Sequence, residues 1–351
     1  ASEIGGGFGG KTVVYLEPLA HALSRKSCRP VKMEMTRSEV FTSSGPTSGA
    51  KIWVKIGVKN DGQITAGDCI LKYQAGAFQG APVGPGAMCA FAPYEMKNVR
   101  AVGYDIVVNR PKVAAYRAPG GPISEYGVES VIDEIAIKLD IDPVDIRLKN
   151  AAKEGTIAPY GPKLGPIGMI ETLEAAKKHP HYSAPLGPRQ ARGVASGFWF
   201  NIGGETSSSI TINEDGTVGL TLGTPDIGGS RASMAMMASE ELGIPMEKIK
   251  PVIGDTNSLG FNFLTGGSRA TFSTGTTVVK STREAIEELK KRAALLWEVT
   301  LEQVEWIDGH ARLISGNEPK TMSLSQIAKQ AGKTGGPIMA NCSMNVTGAG
   351  P

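Results

Sequence analysis

A glycine-rich stretch near the start of the chain has the residue types and spacing of a phosphate-binding loop. Residues 5–12, GGGFGGKT, satisfy the nucleoside-triphosphate template G-x-x-x-x-G-K-[ST] and also contain the dinucleotide template G-x-G-x-x-G. In both templates, glycines let backbone N–H groups approach a phosphate at the start of a helix. The stretch therefore raises three possibilities: ATP, a dinucleotide, or another group held by backbone amides.

The residues around this loop disfavour both nucleotides. A nucleotide loop needs a buried strand that leads into the glycines, whereas only ASEI precedes them and its third residue, Glu3, is charged. The nearest candidate for the magnesium-binding aspartate of an ATP site is Asp255, which follows only a short apolar run. A dinucleotide site also needs an acidic residue that binds the ribose, and Glu34 stands near the required position only by chance. What remains is backbone contact with a bulky anionic or oxo-bearing group, with Phe8 as the only side chain in the loop.

Three more glycine-containing stretches stand near predicted helix starts. They are VAAYRAPGGP (113–122), TPDIGGSRAS (224–233) and TGGSRATFSTG (265–275). One such loop alone is usually a plain turn. Four of them in one chain, most with a nearby Arg or Lys, predict that backbone amides enclose a large anion-bearing cofactor.

Helices and hairpins must hold these loops in place. An apolar stripe predicts a helix over 13–25, directly after the first loop, and VKMEMT (31–36) has the alternation of a strand. Alternating residues around Asp61-Gly62 and around Asp215-Gly216 predict two β-hairpins. Two similar hairpins indicate a duplicated α+β architecture.

The remaining pattern divides the chain into two lobes. Further helices are predicted over 123–139, 143–151 with Asp142 as the cap, 167–178, 232–242, 277–297 and 323–330. The segment HPHYSAPLGPRQARG (179–193) has neither helical nor strand periodicity and is typical of a linker. We therefore expect a first lobe over 1–180 and a second over 190–351.

Composition excludes several classes of function. The 37 basic and 34 acidic residues leave a net charge of +3 with no long basic block, so nucleic acid is not an expected partner. No apolar run is long enough for a bilayer span, and no secretory signal pattern opens the sequence. The 4 cysteines lack C-x-x-C spacing, which argues against an iron–sulfur cluster on this chain and predicts thiols in a reducing, cytoplasmic compartment.

Taken together, the motifs resemble those of the molybdenum-binding subunit of the xanthine dehydrogenase, aldehyde oxidoreductase and carbon monoxide dehydrogenase family. GGGFGGK, AYRAPGGP, ESVIDEIA, DPVDIRLKN, DIGGS and GGSRAT follow the family order over nearly the whole chain. The resemblance implies an α+β fold of elongated, internally related lobes, with β-hairpins, mixed sheets and packed helices around a molybdopterin cofactor. It also implies that an aldehyde or N-heteroaromatic carbon is hydroxylated with water as the oxygen source, at a molybdenum centre with oxo and sulfido ligands.

The resemblance assigns cofactor contacts to all four loops. The residues implied beside the metal are Phe8, Arg117 and Gly267. The other implied cofactor-binding residues are Gly7, Gly9, Ala118, Ile227, Gly228, Gly229, Ser230 and Ser268. The implied substrate-lining residues are Thr12, Pro119, Phe198 and Trp199, although Phe198 and Trp199 fit buried strand positions equally well. The cofactor would be molybdopterin, often the cytosine dinucleotide form in bacteria.

Four positions depart from the family pattern. Ala118 stands where carbon monoxide dehydrogenases carry a copper-bridging cysteine, so that reaction is not expected. Thr12 and Pro119 replace the glutamate and phenylalanine of the purine enzymes, so a purine substrate is not expected. Gly229 replaces the pterin-contacting glutamine of D-x-G-Q-G, which implies altered cofactor binding.

The catalytic base of the family is a glutamate in a G-x-G-E segment, beyond the region that NVTGAGP (345–351) matches. Glu3, Glu125 and Glu134 do not match that motif. We therefore expect a partial or split subunit that carries no catalytic residue and is inactive alone. Its partners would be the rest of the molybdenum subunit, a 2Fe-2S subunit and an FAD subunit. The alternatives are a non-catalytic scaffold or assembly homologue of that subunit, and a phosphate-loop nucleotide binder.

Overall fold

The computed structural model describes residues 4–45, 47–200, 202–314 and 319–347. These residues form two compact units, which we name the first unit (residues 8–200) and the second unit (residues 4–7 with 202–347). Glu3 and the last four residues of NVTGAGP lie outside the described residues. The two cofactor-binding lobes over 1–180 and 190–351 stay a prediction.

A mixed three-stranded sheet forms the centre of the first unit. Its strands are β1 (Ala50–Val58), β2 (Ile64–Gly76) and β3 (Val99–Val107), with β1 antiparallel and β3 parallel to the central β2. The helices are α1 (Glu17–Ser27), α2 (Arg37–Ser43), α3 (Val83–Cys89), α4 (Gly121–Leu139), α5 (Pro143–Asn150), α6 (Met169–Lys178) and α7 (Pro180–Ser183). Buried residues of β2 pack against the apolar face of α4 and form the core of this unit.

The second unit contains a four-stranded sheet in the order β10-β4-β5-β6 and a small sheet in the order β7-β8-β9. The strands are β4 (Gly204–Ile212), β5 (Val218–Leu222), β6 (Ile249–Ile253), β7 (Val304–Ile307), β8 (His310–Leu313), β9 (Thr321–Ser323) and β10 (Ile338–Val346). The helices are α8 (Ser230–Leu242), α9 (Ala270–Trp297), α10 (Leu324–Ala328) and α11 (Ala331–Thr334), with 3₁₀ turns at Met246–Lys248 and Leu301–Gln303. Residues of β4, β5, α8 and α9 supply most of its core.

Both units repeat one arrangement of elements. In the first, the hairpin β1–β2 is followed by α3, by β3 parallel to β2, and by α4. In the second, the hairpin β4–β5 is followed by α8, by β6 parallel to β5, and by α9. A glycine-containing loop precedes the last helix of each set. The duplicated α+β architecture is therefore confirmed.

Local turn chemistry explains why both hairpins lie where the sequence places them. Gly62 and Gly216 have φ of +83° each, a conformation that glycine adopts without steric cost. The Asp61 carboxylate accepts the backbone N–H of Gln63 at 3.1 Å, and Asp215 accepts that of Thr217 at 2.8 Å. Each aspartate thus closes its own turn.

The region before β1 differs from its prediction. The first helix begins at Glu17 instead of residue 13, with Pro18 in its first turn, where a missing N–H is tolerated. VKMEMT forms no strand, so that prediction was wrong. Its last residue, Thr36, accepts the N–H of Glu39 while Glu39 accepts the N–H of Thr36, and this capping box starts α2.

Two further segments are more ordered than their sequences indicate. Residues 179–193, predicted as a linker, contain α7 and pack within the first unit, where the Tyr182 hydroxyl donates to Asp142 at 2.9 Å. The long helix α9 begins at Ala270 and not at Thr277, because hydroxyls in its first turns are buried against the sheet. One of them, Thr274 Oγ1, lies 2.6 Å from Thr224 Oγ1.

Candidate functional site

The first and second predicted cofactor loops are in backbone contact within the first unit. The Arg117 N–H donates to the Phe8 carbonyl oxygen at 2.7 Å. Gly9 has φ of +96°, and a Cβ at this position would lie 2.3 Å from the Ala115 carbonyl oxygen. Only glycine therefore allows residues 8–10 to lie this close to the loop that leads into α4.

Unusual backbone conformations occur at two of the predicted cofactor-binding residues. Phe8 has φ of 51° and Ala118 has φ of 52°, although neither is glycine. Non-glycine residues with positive φ are uncommon and cluster at functional sites. Behind the second loop, the Tyr73 hydroxyl donates to the Gly120 carbonyl oxygen at 2.9 Å, which fixes the loop to β2.

Thr12 and Tyr15 hold the far end of the first loop. The Thr12 hydroxyl donates to the Gly9 carbonyl oxygen at 2.7 Å, and the Tyr15 hydroxyl donates to that of Gly10 at 3.1 Å. The helix α1 begins only at Glu17, so the loop does not feed a helix N-terminus as a nucleotide-binding loop does. Thr12 thus has a structural partner, and its role in lining the substrate channel stays a prediction.

The aromatic segment at 198–199 lies along α4. The Glu125 carboxylate accepts the N–H of Phe198 at 2.7 Å, and Glu129, one turn later, accepts that of Ser196 at 2.7 Å. The Trp199 ring packs at the start of α4, 3.6 Å from the place of a Cβ on Gly121. Both aromatic residues are half-buried and lie outside any strand, so the strand interpretation was wrong.

Glu125 titrates in an unusual range because of this position. Burial raises its pKa to about 7, and Glu129 adds to the rise, while the Phe198 N–H opposes it. Between pH 4.5 and about 7 the folded chain therefore holds a proton that the unfolded chain has released. Stability of the first unit is lost as the pH rises through this window.

We expect Glu125→Gln to abolish this pH dependence. At about pH 8 the variant should exceed the wild type in unfolding free energy by on the order of 1–3 kcal/mol, because no buried carboxylate has to ionise. The measurement is the unfolding free energy of the first unit at a series of pH values. Glu134→Gln, at an exposed position of the same helix, is the matched control and should leave the pH profile unchanged. Parallel pH profiles of the wild type and Glu125→Gln would show that Glu125 does not cause the pH dependence.

In the second unit, the start of the chain pairs with the third glycine loop. The Ile4 N–H donates to the Asp226 carbonyl oxygen at 2.9 Å, and the Gly228 N–H donates to the Ile4 carbonyl oxygen at 3.0 Å. A Cβ on Gly7 would lie 3.8 Å from the Ile227 side chain, which is ordinary van der Waals contact. Gly7 and Ile227 are thus neighbours, as a shared binding role requires.

The third loop leaves open space above its glycines. Gly228 and Gly229 have φ of +64° and +87°, and nothing lies within 4 Å of a Cβ built on either. Gly229 is the N-cap of α8 and has no side chain of its own, which leaves its outer side open, while the Asp226 carboxylate accepts the N–H of Arg231 in the first turn of the helix. This arrangement fits a phosphate or pterin group held by backbone amides.

The Asp226 carboxylate holds the third loop through hydrogen bonds to the first residues of α8. Its buried carboxylate accepts the backbone N–H of Arg231 at 3.1 Å and the guanidinium Nε–H of Arg231 at 2.7 Å. These bonds, together with the 3.3 Å bond from the Ser230 hydroxyl, hold the pKa of Asp226 below its usual value. Ser230 therefore points its hydroxyl at Asp226, and only its backbone remains for the predicted cofactor contact.

The fourth loop, before α9, rests on a buried guanidinium. Arg269 is 1% exposed and donates to the carbonyl oxygens of Gly203, Glu205 and Phe263 at 2.6, 2.8 and 2.9 Å. No described carboxylate forms an ion pair with it, and its positive charge is balanced by these carbonyl oxygens and, at longer range, by the Glu205 carboxylate. The predicted residues Gly267 and Ser268, with φ of 65° and 61°, lie directly before this charge.

An unsatisfied hydroxyl completes the fourth loop. Thr265 Oγ1 is buried without a hydrogen-bond partner among the described residues. A buried hydroxyl without a partner costs free energy unless a ligand or water pairs with it. The local charge and this hydroxyl are both suited to an anionic group.

The structure places the predicted site residues on loops of the two units, with direct contact between Phe8 and Arg117 in the first unit and between Gly7 and Ile227 in the second. The first unit holds Phe8, Gly9, Thr12, Arg117, Ala118, Pro119, Phe198 and Trp199, and the second holds Gly7, Ile227, Gly228, Gly229, Ser230, Gly267 and Ser268. The sequence analysis gave no role to Arg269, although it directly follows GGS, nor to Glu125 and Glu129 of α4. Within the described ranges, no three His, Cys, Asp or Glu side chains gather as metal ligands. No described helix has both the length and the apolarity needed to cross a bilayer.

The molybdopterin cofactor-binding domain family matches the chain twice, over residues 1–151 and over residues 171–349. The chain is 28% identical to a xanthine dehydrogenase molybdenum-binding subunit of Escherichia coli O157:H7, over 98% of this chain and 49% of that protein. It is 30% identical to an aldehyde oxidoreductase molybdenum-binding subunit of the same strain, over 72% of this chain and 36% of that protein.

The fold agrees with a solved relative. Quinoline 2-oxidoreductase from Pseudomonas putida 86 superposes with a TM-score of 0.84 at 20% identity, over 98% of this chain and 49% of that structure. The chain thus spans half or less of the length of the relatives it matches. The sequence motifs, the duplicated α+β units and both domain matches lead to one conclusion: the chain belongs to the molybdopterin cofactor-binding domain family, with molybdenum-binding subunits of xanthine dehydrogenase and aldehyde oxidoreductase type among its relatives.

Proposed function

We propose that this chain is the molybdenum-cofactor-binding portion of an oxidoreductase that hydroxylates an aldehyde or N-heteroaromatic carbon with water as the oxygen source. The observation that carries the proposal is the open, left-handed backbone at Gly228–Gly229 at the start of α8, in a chain of this family. Relatives named for aldehyde and quinoline oxidation support the substrate class.

The chain's own residues bind and orient the cofactor. Backbone groups of Phe8, Arg117 and Gly267 would contact its metal end, and Gly228 to Ser230 would hold the pterin and its phosphate. The cofactor, when bound, supplies the redox chemistry of the hydroxylation. The buried Arg269 guanidinium, which bonds to three carbonyl oxygens, would hold the fourth loop in place and add positive charge near an anionic group bound there. The cytosine dinucleotide form is the expected variant.

The proposal assigns the other functions to partners. An iron–sulfur subunit and a flavin subunit would carry electrons away, and the remaining part of the molybdenum subunit would supply the catalytic glutamate. A cytoplasmic location is part of the proposal, and the four cysteines, all of them free thiols, accord with it.

Metal and pterin analysis of the complex tests the proposal. The chain would be co-expressed with the products of the adjacent reading frames, purified as a complex, and assayed for molybdenum and for fluorescent pterin after oxidation. We expect about one molybdenum and one pterin per chain, since the family binds a single cofactor. A folded complex without either would reject the proposal and would favour the non-catalytic scaffold. Binding of ATP instead would favour the nucleotide-binding alternative.

A further inference from the structure

The helix α1 leaves its apolar face exposed. Leu16, at the N-cap, and Leu19, Ala20 and Leu23 recur at the spacing that places side chains on one face of a helix. None of the residues of α1 is buried, and Leu19 and Leu23 are 54% and 47% exposed. The helix has 11 residues. A helix shorter than about 12–15 residues is marginal in water unless packing stabilises it, so α1 needs a further surface against this face.

The segment that follows α1 has the pattern of a strand but no partner strand. The side chains of residues 31–36, VKMEMT, alternate between half-buried and exposed, as they do in a strand with one covered face. The backbone N–H and C=O groups of residues 31–35 form no hydrogen bond with another described residue. A row of unpaired backbone groups is a template for pairing with a strand of another chain.

The sequence between and within these two elements is basic. Four exposed basic residues lie within eight positions and form no ion pair with a described carboxylate: Arg25, Lys26, Arg29 and Lys32. Of the nearby carboxylates, Glu17 accepts the N–H of Tyr15 at 2.8 Å and Glu39 accepts that of Thr36 at 2.7 Å, so both are engaged in helix starts. A surface that covers this region is therefore expected to be acidic.

We propose that α1 and residues 31–36, which we name the docking surface, bind the remaining part of the molybdenum subunit. The proposal rests on the proposed function, which makes that part a partner, and on the length of the relatives, of which the chain spans half or less. The partner would present an apolar face to Leu19 and Leu23, a strand edge to residues 31–35, and carboxylates to the basic residues.

Two other occupants fit the docking surface less well. An anionic membrane would attract the apolar face of α1 and the basic residues, but lipid offers no strand to the unpaired backbone of residues 31–35. A second copy of the same surface would place like charges against each other. Only an acidic polypeptide with a free strand edge satisfies all three features.

Co-expression of the 351-residue chain with the polypeptide that carries the rest of the subunit, from the adjacent reading frame, tests this surface. We expect a stable complex in which the backbone amides of α1 exchange hydrogen at least about a hundredfold more slowly than in the chain alone. Among residues 31–35, every second amide should gain protection, because pairing along one side of a strand engages alternate N–H groups.

The combined change Leu19→Asp and Leu23→Asp should lower the yield of the complex by about tenfold or more, because it puts two charges where the partner is apolar. Ile137→Asp is the matched control, since Ile137 is an apolar residue of α4 in the same unit and is 80% exposed. It should leave the yield unchanged. Circular dichroism of each variant shows whether it folds, and if the double variant does not, the exchange of the wild type decides.

The proposal is overturned if no complex forms, if α1 exchanges equally fast in the chain and in the complex, or if the double variant and Ile137→Asp give equal yields. Protection of α1 in a dimer of the chain alone, or on vesicles of anionic phospholipid, would also overturn it. Molybdenum and pterin analysis of the same complex keeps the two proposals apart. A complex with a protected α1 but without either would reject the proposed function and leave the docking surface standing.

Discussion

Arg147→Met is expected to lower the unfolding free energy of the first unit by about 3–5 kcal/mol. The Arg147 side chain is fully buried, and its guanidinium donates to Glu129, to Asp133 and to the Pro143 carbonyl oxygen at 2.9, 2.8 and 2.7 Å. Glu129 is buried as well and accepts hydrogen bonds from the Tyr94 hydroxyl and the Ser196 N–H. One guanidinium therefore neutralises the carboxylate on which these two other contacts depend.

The cost arises from the partner that remains. Methionine fills much of the volume of arginine, so little packing is lost, but the Glu129 carboxylate stays buried without a counter-ion. A buried carboxylate without its counter-ion is costly in a low dielectric, and this cost is the source of the expected loss. The hydrogen bond from the Ser196 N–H to Glu129 should weaken as well, and with it the attachment of the aromatic segment at 198–199 to α4.

Arg100→Met provides the matched control. The Arg100–Asp68 pair also joins a guanidinium to a carboxylate in the first unit, at 2.7 Å, but its arginine is 65% exposed. An exposed pair contributes about 0–1 kcal/mol, since water already solvates both charges. Hydrogen exchange of α4 and α5 at a series of denaturant concentrations is the suitable measurement, because a chain with two units need not unfold in one step. Equal losses in the two variants would contradict the assignment.

Local chemistry decided which elements could be predicted. The turns at Asp61-Gly62 and Asp215-Gly216 and the cap at Asp142 depend on residues within three positions of one another, so their sequences specify them. The start of α9 does not depend on its neighbours. Thr274 looks like a loop residue, and its contacts with the Thr224 and Thr206 hydroxyls, fifty or more positions away, show why the helix begins earlier.

The candidate site likewise combines features that the sequence reveals with features that only distant contacts determine. Glycines ahead of helices were visible in the sequence, and the structure places them at left-handed positions such as Gly228 and Gly229. The left-handed backbone of Phe8, Ala118 and Ser268 was not predictable, because side chains rarely adopt it and only surrounding contacts enforce it. The strand prediction for VKMEMT was wrong for a related reason: its apolar and polar residues alternate as in a strand, but its last residue, Thr36, belongs to the capping box of α2.

Gly9→Ala is expected to reduce the molybdenum content of the purified complex by about tenfold or more, which corresponds to a loss of about 1.4 kcal/mol in cofactor binding. The new Cβ would lie 2.3 Å from the Ala115 carbonyl oxygen, a contact that neither backbone can accept. Alanine also disfavours the φ of +96° at this position. Relief requires the loop to move away, and this breaks the 2.7 Å bond from the Arg117 N–H to Phe8.

Gly5→Ala separates this effect from the mere addition of a methyl group to the same loop. Nothing lies within 4 Å of a Cβ at Gly5, and its φ is not in the left-handed range, so we expect wild-type molybdenum and pterin content. Hydrogen exchange of α4 would show that both variants keep the fold of the first unit. If Gly9→Ala retained as much cofactor as Gly5→Ala, the contact between the Phe8 and Arg117 loops would have no part in binding. If both variants lost it, sensitivity would extend along the whole glycine run, and the close approach at Ala115 would not be its cause.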